Sequence, residues 1–271
     1  MPGGAKGRFT ARLESRVQVS PSCHLLVLER PKSFPDARPG QFVSIRVSES
    51  TTPLLRRPFS IMDLTEQSLS LLVKAVGPGS AAIAALDEGD PVDIIGPLGG
   101  TEFQAPRGGS ALLVAGGTGL APLVFAARTW RREGRARGAC LLYGASTKDE
   151  LLEGLIEKDF GECSYATIDG SSGHHGDVVA LCENLMEKGR MSGAALYSCG
   201  PRSMVRALVE RIGSRFPEHV TSLESVMACG VGACRGCTVP VRSGGKIVFK
   251  AVCSDGTVFR ANDVAWEEWE E

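Results

Sequence analysis

The spacing of apolar positions changes character twice along the chain. Over residues 8–103, short stretches alternate apolar and polar positions or cluster β-formers: ESRVQVS, CHLLVLER, GQFVSIRV, RPFSIMD, LSLLVKAV and DPVDIIGP, with Pro, Gly and Asp between them. A two-residue period broken by turn residues at this spacing predicts the strands of an antiparallel barrel. One interruption, SAAIAALDEG, has helical spacing, and Ser80 is placed to serve as its N-cap.

Over residues 104–220 the period becomes that of strands alternating with helices. ALLVAGG, CLLYGAS, SYATIDG and ALYSCGP are near-continuous apolar runs that read as buried strands. LAPLVFAARTWRREG, KDELLEGLIEKDF, DVVALCENLMEKG and SMVRALVERIGSRF carry helical spacing between and after them. Such alternation predicts a parallel-sheet α/β domain with helices on both faces. Beyond Phe216-Pro217 the pattern stops, and a tail over residues 221–271 begins that is too small to hold itself together by burial alone. The expected fold is therefore multidomain, combining all-β and α/β parts.

Composition narrows the chemistry. With 30 basic and 31 acidic residues in 271, nothing advertises nucleic acid or an anionic membrane as a partner. No apolar run reaches the roughly 18 residues of a membrane span, and MPGGAKGRFTARLES lacks a secretory apolar segment. A cytoplasmic protein is expected. In that reducing compartment the nine cysteines call for metal before disulfides.

Cys229, Cys234 and Cys237 stand at C-x4-C-x2-C, and Cys253 follows. This is the plant-type spacing of a [2Fe-2S] cluster. Gly230, Gly232 and Gly236 let backbone N–H groups turn toward the sulfurs. Zinc, which favours two separated pairs, and unliganded thiols are the alternatives.

Two further motifs suggest nucleotides. Arg57-Pro58-Phe59-Ser60 lies on a predicted barrel strand, where a guanidinium suits a diphosphate and an aromatic suits a flat ring; the plain alternative is an edge strand with two surface arginines. Gly77-Pro78-Gly79-Ser80 opens the predicted barrel helix, and Lys74 ends the strand before it. Gly116-Gly117-Thr118-Gly119 follows the first α/β strand and opens a helix, the context of a dinucleotide loop although not a full G-x-G-x-x-G. Cys199-Gly200-Pro201 ends the fourth strand at the edge where ligands of such sheets bind, yet Cys199 alone also suits a small buried hydrophobe. Cys23, Cys140, Cys163 and Cys182 read as fillers, and His174 and His175 as exposed loop positions. Asp149 and Glu150, with only Lys148 to attract a 2′-phosphate, favour NAD over NADP.

The motif R-x-[FY]-S resembles that of ferredoxin reductase flavoproteins. The whole chain, through LLRRPFSI, VAGGTGLAP, YGASTKDEL, IDGSSGHHG, CGP, LESVMACGVGACRGC and VCSDGTVF, resembles the electron-transfer subunits of NAD-dependent dihydroorotate dehydrogenases. The resemblance implies FAD on the barrel, with Arg57 on its diphosphate, Phe59 against its ring, Ser60 near N5, and Lys74, Gly79 and Ser80 close by. It implies NAD at Gly116 to Gly119 and Cys199 to Pro201, and a [2Fe-2S] cluster on Cys229, Cys234, Cys237 and Cys253. It also implies an FMN-containing catalytic subunit as partner in a heterotetramer serving pyrimidine synthesis. No residue of this chain is required as nucleophile or strong base. Phe59 departs from the aliphatic residue common at that place in such subunits, and the tail AWEEWEE has no assigned role. The competing readings are the small flavin and iron-sulfur subunit of a bifurcating ferredoxin:NADP oxidoreductase or hydrogenase diaphorase, and a nucleotide-binding sensor with a zinc tail.

Overall fold

The computed structural model describes residues 6–107, 110–135, 138–189 and 195–269. The first six strands are β1 (Gly7–Gln18), β2 (Cys23–Glu29), β3 (Phe42–Ile45), β4 (Arg57–Leu64), β5 (Ser68–Lys74) and β6 (Pro91–Leu98). They close an antiparallel barrel in the order β1-β2-β5-β4-β3-β6. Closure depends on β1, which pairs with β6 through its first half and with β2 through its second, the register shifting between Leu13 and Ser15. The sequence pattern located only the second half, because GRFTARLE alternates half-exposed and exposed positions before its first buried residue, Ala11.

Helix α1 (Pro78–Ala84) interrupts the barrel. Its N-cap is Gly77, not Ser80: the Ser80 hydroxyl lies one turn in, accepts from the backbone N–H groups of Val76 and Gly77, and donates to the Gly77 carbonyl. Pro78 fits the first turn, where its missing N–H has no intrahelical partner to lose.

The second part contains β7 (Ala111–Gly116), α2 (Leu120–Arg132), β8 (Cys140–Ala145), α3 (Glu153–Ile156), β9 (Glu162–Thr167), β10 (His174–His175), α4 (Val178–Glu187), β11 (Ala195–Cys199), α5 (Arg202–Ile212) and β12 (His219–Ser222). Every residue of β7 is buried, as expected for a strand covered on both faces. The continuous helix expected over residues 148–160 does not form. It is broken into α3 and two 3-10 turns, because Leu151 is extended and Leu151 and Leu152 are drawn into the core that holds Tyr143 and Trp130.

The tail is woven into what precedes it. A hairpin of β13 (Thr238–Ser243) and β14 (Lys246–Ala251) leads to α6 (Val252–Asp255) and β15 (Val258–Arg260). β15 pairs antiparallel with β12 and completes a seven-stranded sheet of order β10-β9-β8-β7-β11-β12-β15. The segment AWEEWEE, described as far as Trp269, packs Trp266 and Trp269 against Val205 and Val209 of α5, and Arg202 lies 5.1 Å over the Trp269 ring. Among the described residues no helix is long and apolar enough to cross a membrane.

His219 is buried in β12, its Nε2 2.8 Å from the Ser198 hydroxyl and its Nδ1 without a partner among the described residues. Burial lowers its pKa to about 4. Above pH ~6.5 the ring is neutral in folded and unfolded chains alike; below it the unfolded chain gains a proton that the folded chain refuses down to about pH 4. Stability should therefore fall by about 1.4 kcal/mol per pH unit across that window, roughly 3 kcal/mol in all. Urea unfolding at several pH values should show this slope in the wild type and its loss in His219→Gln.

Candidate active site and cysteine loop

A cleft of about 470 Å³ lies where barrel, sheet and tail meet. Its barrel wall is the start of β4. There Phe42, Val43, Ser44 and Ile45 of β3 pair with Ser60, Phe59, Pro58 and Arg57, whereas pairing with β5 begins only at Ile61. Arg57 to Ser60 thus has one edge free toward the cleft, and Pro58, which cannot donate to a ladder, fits such a one-sided strand. The Arg57 guanidinium donates to the Leu55 carbonyl at 2.5 Å and lies against Gly79, where a Cβ would come within 2.6 Å of its Nε.

Of the residues singled out from sequence, Arg57, Pro58, Phe59, Ser60, Lys74, Gly79, Ser80 and Thr118 all line this cleft. Gly117 lines an adjoining crevice together with Thr118. Gly116, Gly119, Cys199 and Gly200 line neither space; they bring two loops together backbone to backbone: a Cβ on Gly119 would sit 2.3 Å from the Cys199 carbonyl oxygen, and one on Gly200 3.0 Å from the Gly116 nitrogen. Pro201 abuts Gly116 from the same side. Cys199 itself is fully buried, and burial first, then the nearby Glu224 carboxylate, pushes its thiol pKa well up.

The sequence reading missed Phe42, Met227, Thr257 and the segment Ser222 to Ser225, all of which line the cleft. Phe42 was available from the strand pattern, since alternation places it opposite Ser60 once β3 and β4 are paired. The Ser222 segment had a weaker signal, a strand end followed by LES. Glu224 is exposed at the cleft, and desolvation of its carboxyl by the neighbouring protein raises its pKa. Lys74 Nζ lies 3.3 Å from Glu150 Oε1, joining barrel to sheet.

The four cysteines of the tail come together in one loop system. The backbone N–H groups of Val231 and Cys234 approach Cys229 Sγ at 3.5 and 3.4 Å, that of Gly232 approaches Cys253 Sγ at 3.1 Å, and that of Gly236 approaches Cys234 Sγ at 3.5 Å. Gly232 has φ +88° and a Cβ there would strike Ser254, so only glycine serves. These donors, the Cys234 amide foremost, lower the Cys229 pKa to about 6, whereas burial first and the neighbouring Cys237 second raise that of Cys253 to about 12. Cys237 and Cys253 sulfurs are 3.2 Å apart. Among the described residues no three His, Cys, Asp or Glu side chains gather around a single point as one metal ion would require. A Cys237–Cys253 pair in contact, with Cys229 and Cys234 on N–H donors of the adjoining loop, fits a two-iron group better than a single tetrahedral ion.

The loop is fixed to the cleft. The Cys253 carbonyl accepts from Gly99 N–H at 3.2 Å, Thr257 Oγ1 donates to the Gly40 carbonyl, and Leu223 N–H donates to the Thr257 carbonyl at 2.9 Å. Met227 lines the cleft two residues before Cys229.

Comparison with known proteins matches three family models in sequence. Residues 10–103 match the oxidoreductase FAD-binding domain, residues 113–210 the oxidoreductase NAD-binding domain, and residues 224–265 the iron-sulfur cluster binding domain of dihydroorotate dehydrogenase B. The dihydroorotate dehydrogenase B (NAD(+)) electron transfer subunit of Bacillus caldolyticus is 41% identical over 231 residues, 84% of this chain and 86% of its own. That of Shouchella clausii is 37% identical over 263 residues, 96% and 98% of the two chains. A solved structure of an NADH-dependent reduced ferredoxin-NADP oxidoreductase, an enzyme of flavin-based electron bifurcation, superposes with a TM-score of 0.81 at 28% identity, covering 99% of this chain and 92% of that one.

Gly119→Ala should cost roughly 1–3 kcal/mol of stability by forcing its loop away from the Cys199 backbone. Gly77→Ala, where a Cβ meets nothing within 4 Å, should cost only about 0.5 kcal/mol. Urea denaturation of the two variants side by side checks the contrast.

Proposed function

The chain belongs to the family of dihydroorotate dehydrogenase B electron transfer subunits, and on that footing we propose that it carries electrons from a dihydroorotate-oxidising partner to NAD+. FAD, when bound, couples single-electron exchange with a [2Fe-2S] cluster to two-electron exchange with NAD+. The residues of the chain do the rest. Arg57, seated on Gly79, holds the FAD diphosphate, and Phe59 and Ser60 face its ring from the free edge of β4. Cys229, Cys234, Cys237 and Cys253 hold the irons, and the N–H groups of Val231, Gly232, Cys234 and Gly236 stabilise negative charge on the sulfurs. The Gly116 to Gly119 loop and Cys199 to Pro201 receive NAD+ at the carboxyl ends of β7 and β11.

Reducing NAD+ takes two electrons and one proton, and a cluster, when bound, would supply electrons alone. The cleft must therefore admit a proton for every NAD+ reduced. Among the described residues lining it, Glu224 is the one carboxyl, and its raised pKa suits its carboxyl oxygens to hold and pass that proton.

The observation that carries this reading is a single short segment. Leu223, Glu224, Ser225 and Met227 line the cleft and the chain runs straight on into Cys229, so cofactor site and cysteine loop share one piece of backbone. On the outer side of that loop Val226, Val231, Ile247 and Phe249 are exposed together with Cys234, an apolar surface suited to an FMN-bearing catalytic subunit in a heterotetramer. Work in the cytoplasm, which keeps thiols reduced, suits a chain with nine cysteines.

Co-expression with such a catalytic subunit should yield a complex that reduces NAD+ with dihydroorotate. The isolated chain should oxidise NADH with artificial acceptors and leave dihydroorotate untouched; its turnover of dihydroorotate would contradict the proposal. In a second test, Arg57→Ala should weaken FAD retention by roughly 10- to 100-fold, the loss of a charge-assisted contact. Gly79→Ala should weaken it in the same direction by displacing the guanidinium. Bound flavin per chain after dialysis is the readout.

A further inference from the structure

The main cleft and the crevice behind it share Leu72, Lys74 and Thr118 as lining, and the Lys74–Glu150 ion pair stands at their junction. The crevice, about 10 Å³, lies at the carboxyl ends of β7 and β8, bounded by Gly117, Thr118 and Ala145. In an open parallel sheet this is where the ribose of a dinucleotide is received. A pyridine nucleotide bound there must lead its diphosphate past Lys74 to bring its ring into the main cleft. Each dinucleotide brings an anionic diphosphate, and among the described residues lining the two spaces Arg57 and Lys74 are the only cations. Arg57 is committed to the barrel side against Gly79. Ser22 Oγ, also lining the crevice, is buried without a partner among the described residues, a hydroxyl free for a ligand.

We propose that Glu150 is a displaceable counter-ion: it holds Lys74 when no nucleotide is bound, and the diphosphate of NAD(H) takes Lys74 from it on binding. This rests on the reading that the Gly116 to Gly119 loop receives NAD. Glu150 then sets nucleotide affinity from below. Each binding event breaks the ion pair and each release restores it, so the carboxylate weakens binding and favours departure of NADH. The opposite role, a carboxylate reading the ribose hydroxyls, would make Glu150 strengthen binding.

The two roles separate in calorimetric titration of the FAD-loaded full chain with NAD+. Removing a part-exposed ion pair is worth at most about 1 kcal/mol, so Glu150→Gln should bind NAD+ roughly two- to fivefold more tightly. Lys74→Met should bind at least about tenfold more weakly, and in that background Glu150→Gln should change nothing further. Weaker binding by Glu150→Gln, or an equal gain with and without Lys74, overturns the proposal. If the wild type takes up no NAD+ at all, the reading beneath it fails as well. Bound flavin and melting temperature, measured in parallel, should stay at wild-type values in Glu150→Gln.

Discussion

Everything functional in this chain depends on how tightly the tail is bonded to the exit of the barrel. The Gly99 N–H to Cys253 carbonyl bond and the Thr257 hydroxyl to the Gly40 carbonyl fix the cysteine loop against the strand ends that border the cleft. Close approach is possible because Gly100 and Gly256 carry no side chain: a Cβ on either would fall within 2.7 Å of Ser254 or Thr101. A tail of this size cannot stand by its own burial. It gains its order instead from β15, which extends the sheet, and from Trp266 and Trp269, which cap α5. Cysteine loop, cleft and nucleotide loops consequently form one mechanical unit.

Within that unit, the environment makes like residues unlike. Cys199 and Cys229 are both thiols, yet burial first and the nearby Glu224 carboxylate second raise the pKa of the one, whereas backbone N–H groups aimed at the other favour its anion. The carboxyls differ in the same way. Asp159, almost wholly buried, is matched by Arg128 and Arg131, and Arg128 reaches on to Asp63 of the barrel, bracing α2 against β4 at the ends remote from the cleft. At Glu224 desolvation instead raises the carboxyl pKa.

Several parts of this arrangement were legible in the residues themselves. The two-residue period announced the barrel, and the apolar runs ending in glycine announced the parallel sheet. C-x4-C-x2-C marked the loop whose N–H groups converge on sulfur. Local backbone chemistry dictates each of these: alternation must match the pleat, a strand covered on both faces must be apolar throughout, and a thiolate-bearing turn needs glycines at positive φ. Arg57 to Ser60, Lys74 and Thr118 were likewise singled out by residue type and place, and they face one cleft.

The rest was decided by contacts between residues far apart in the chain. The helical spacing of residues 148–160 gave way because Leu151 and Leu152 are worth more in the common core than in a surface helix. Ser80 lost the cap to Gly77 because its hydroxyl is more useful bonded back across the turn that faces the cleft. Nothing in HVTS or VFR alone says that they will lie side by side, since a short polar-rich strand acquires its identity only from its neighbour. The pairing of Lys74 with Glu150 and the desolvation of the Glu224 carboxyl are of the same kind. Sequence fixes what a segment can become locally; burial and charge compensation across the whole molecule choose among those possibilities, because both depend on neighbours that only the folded chain supplies.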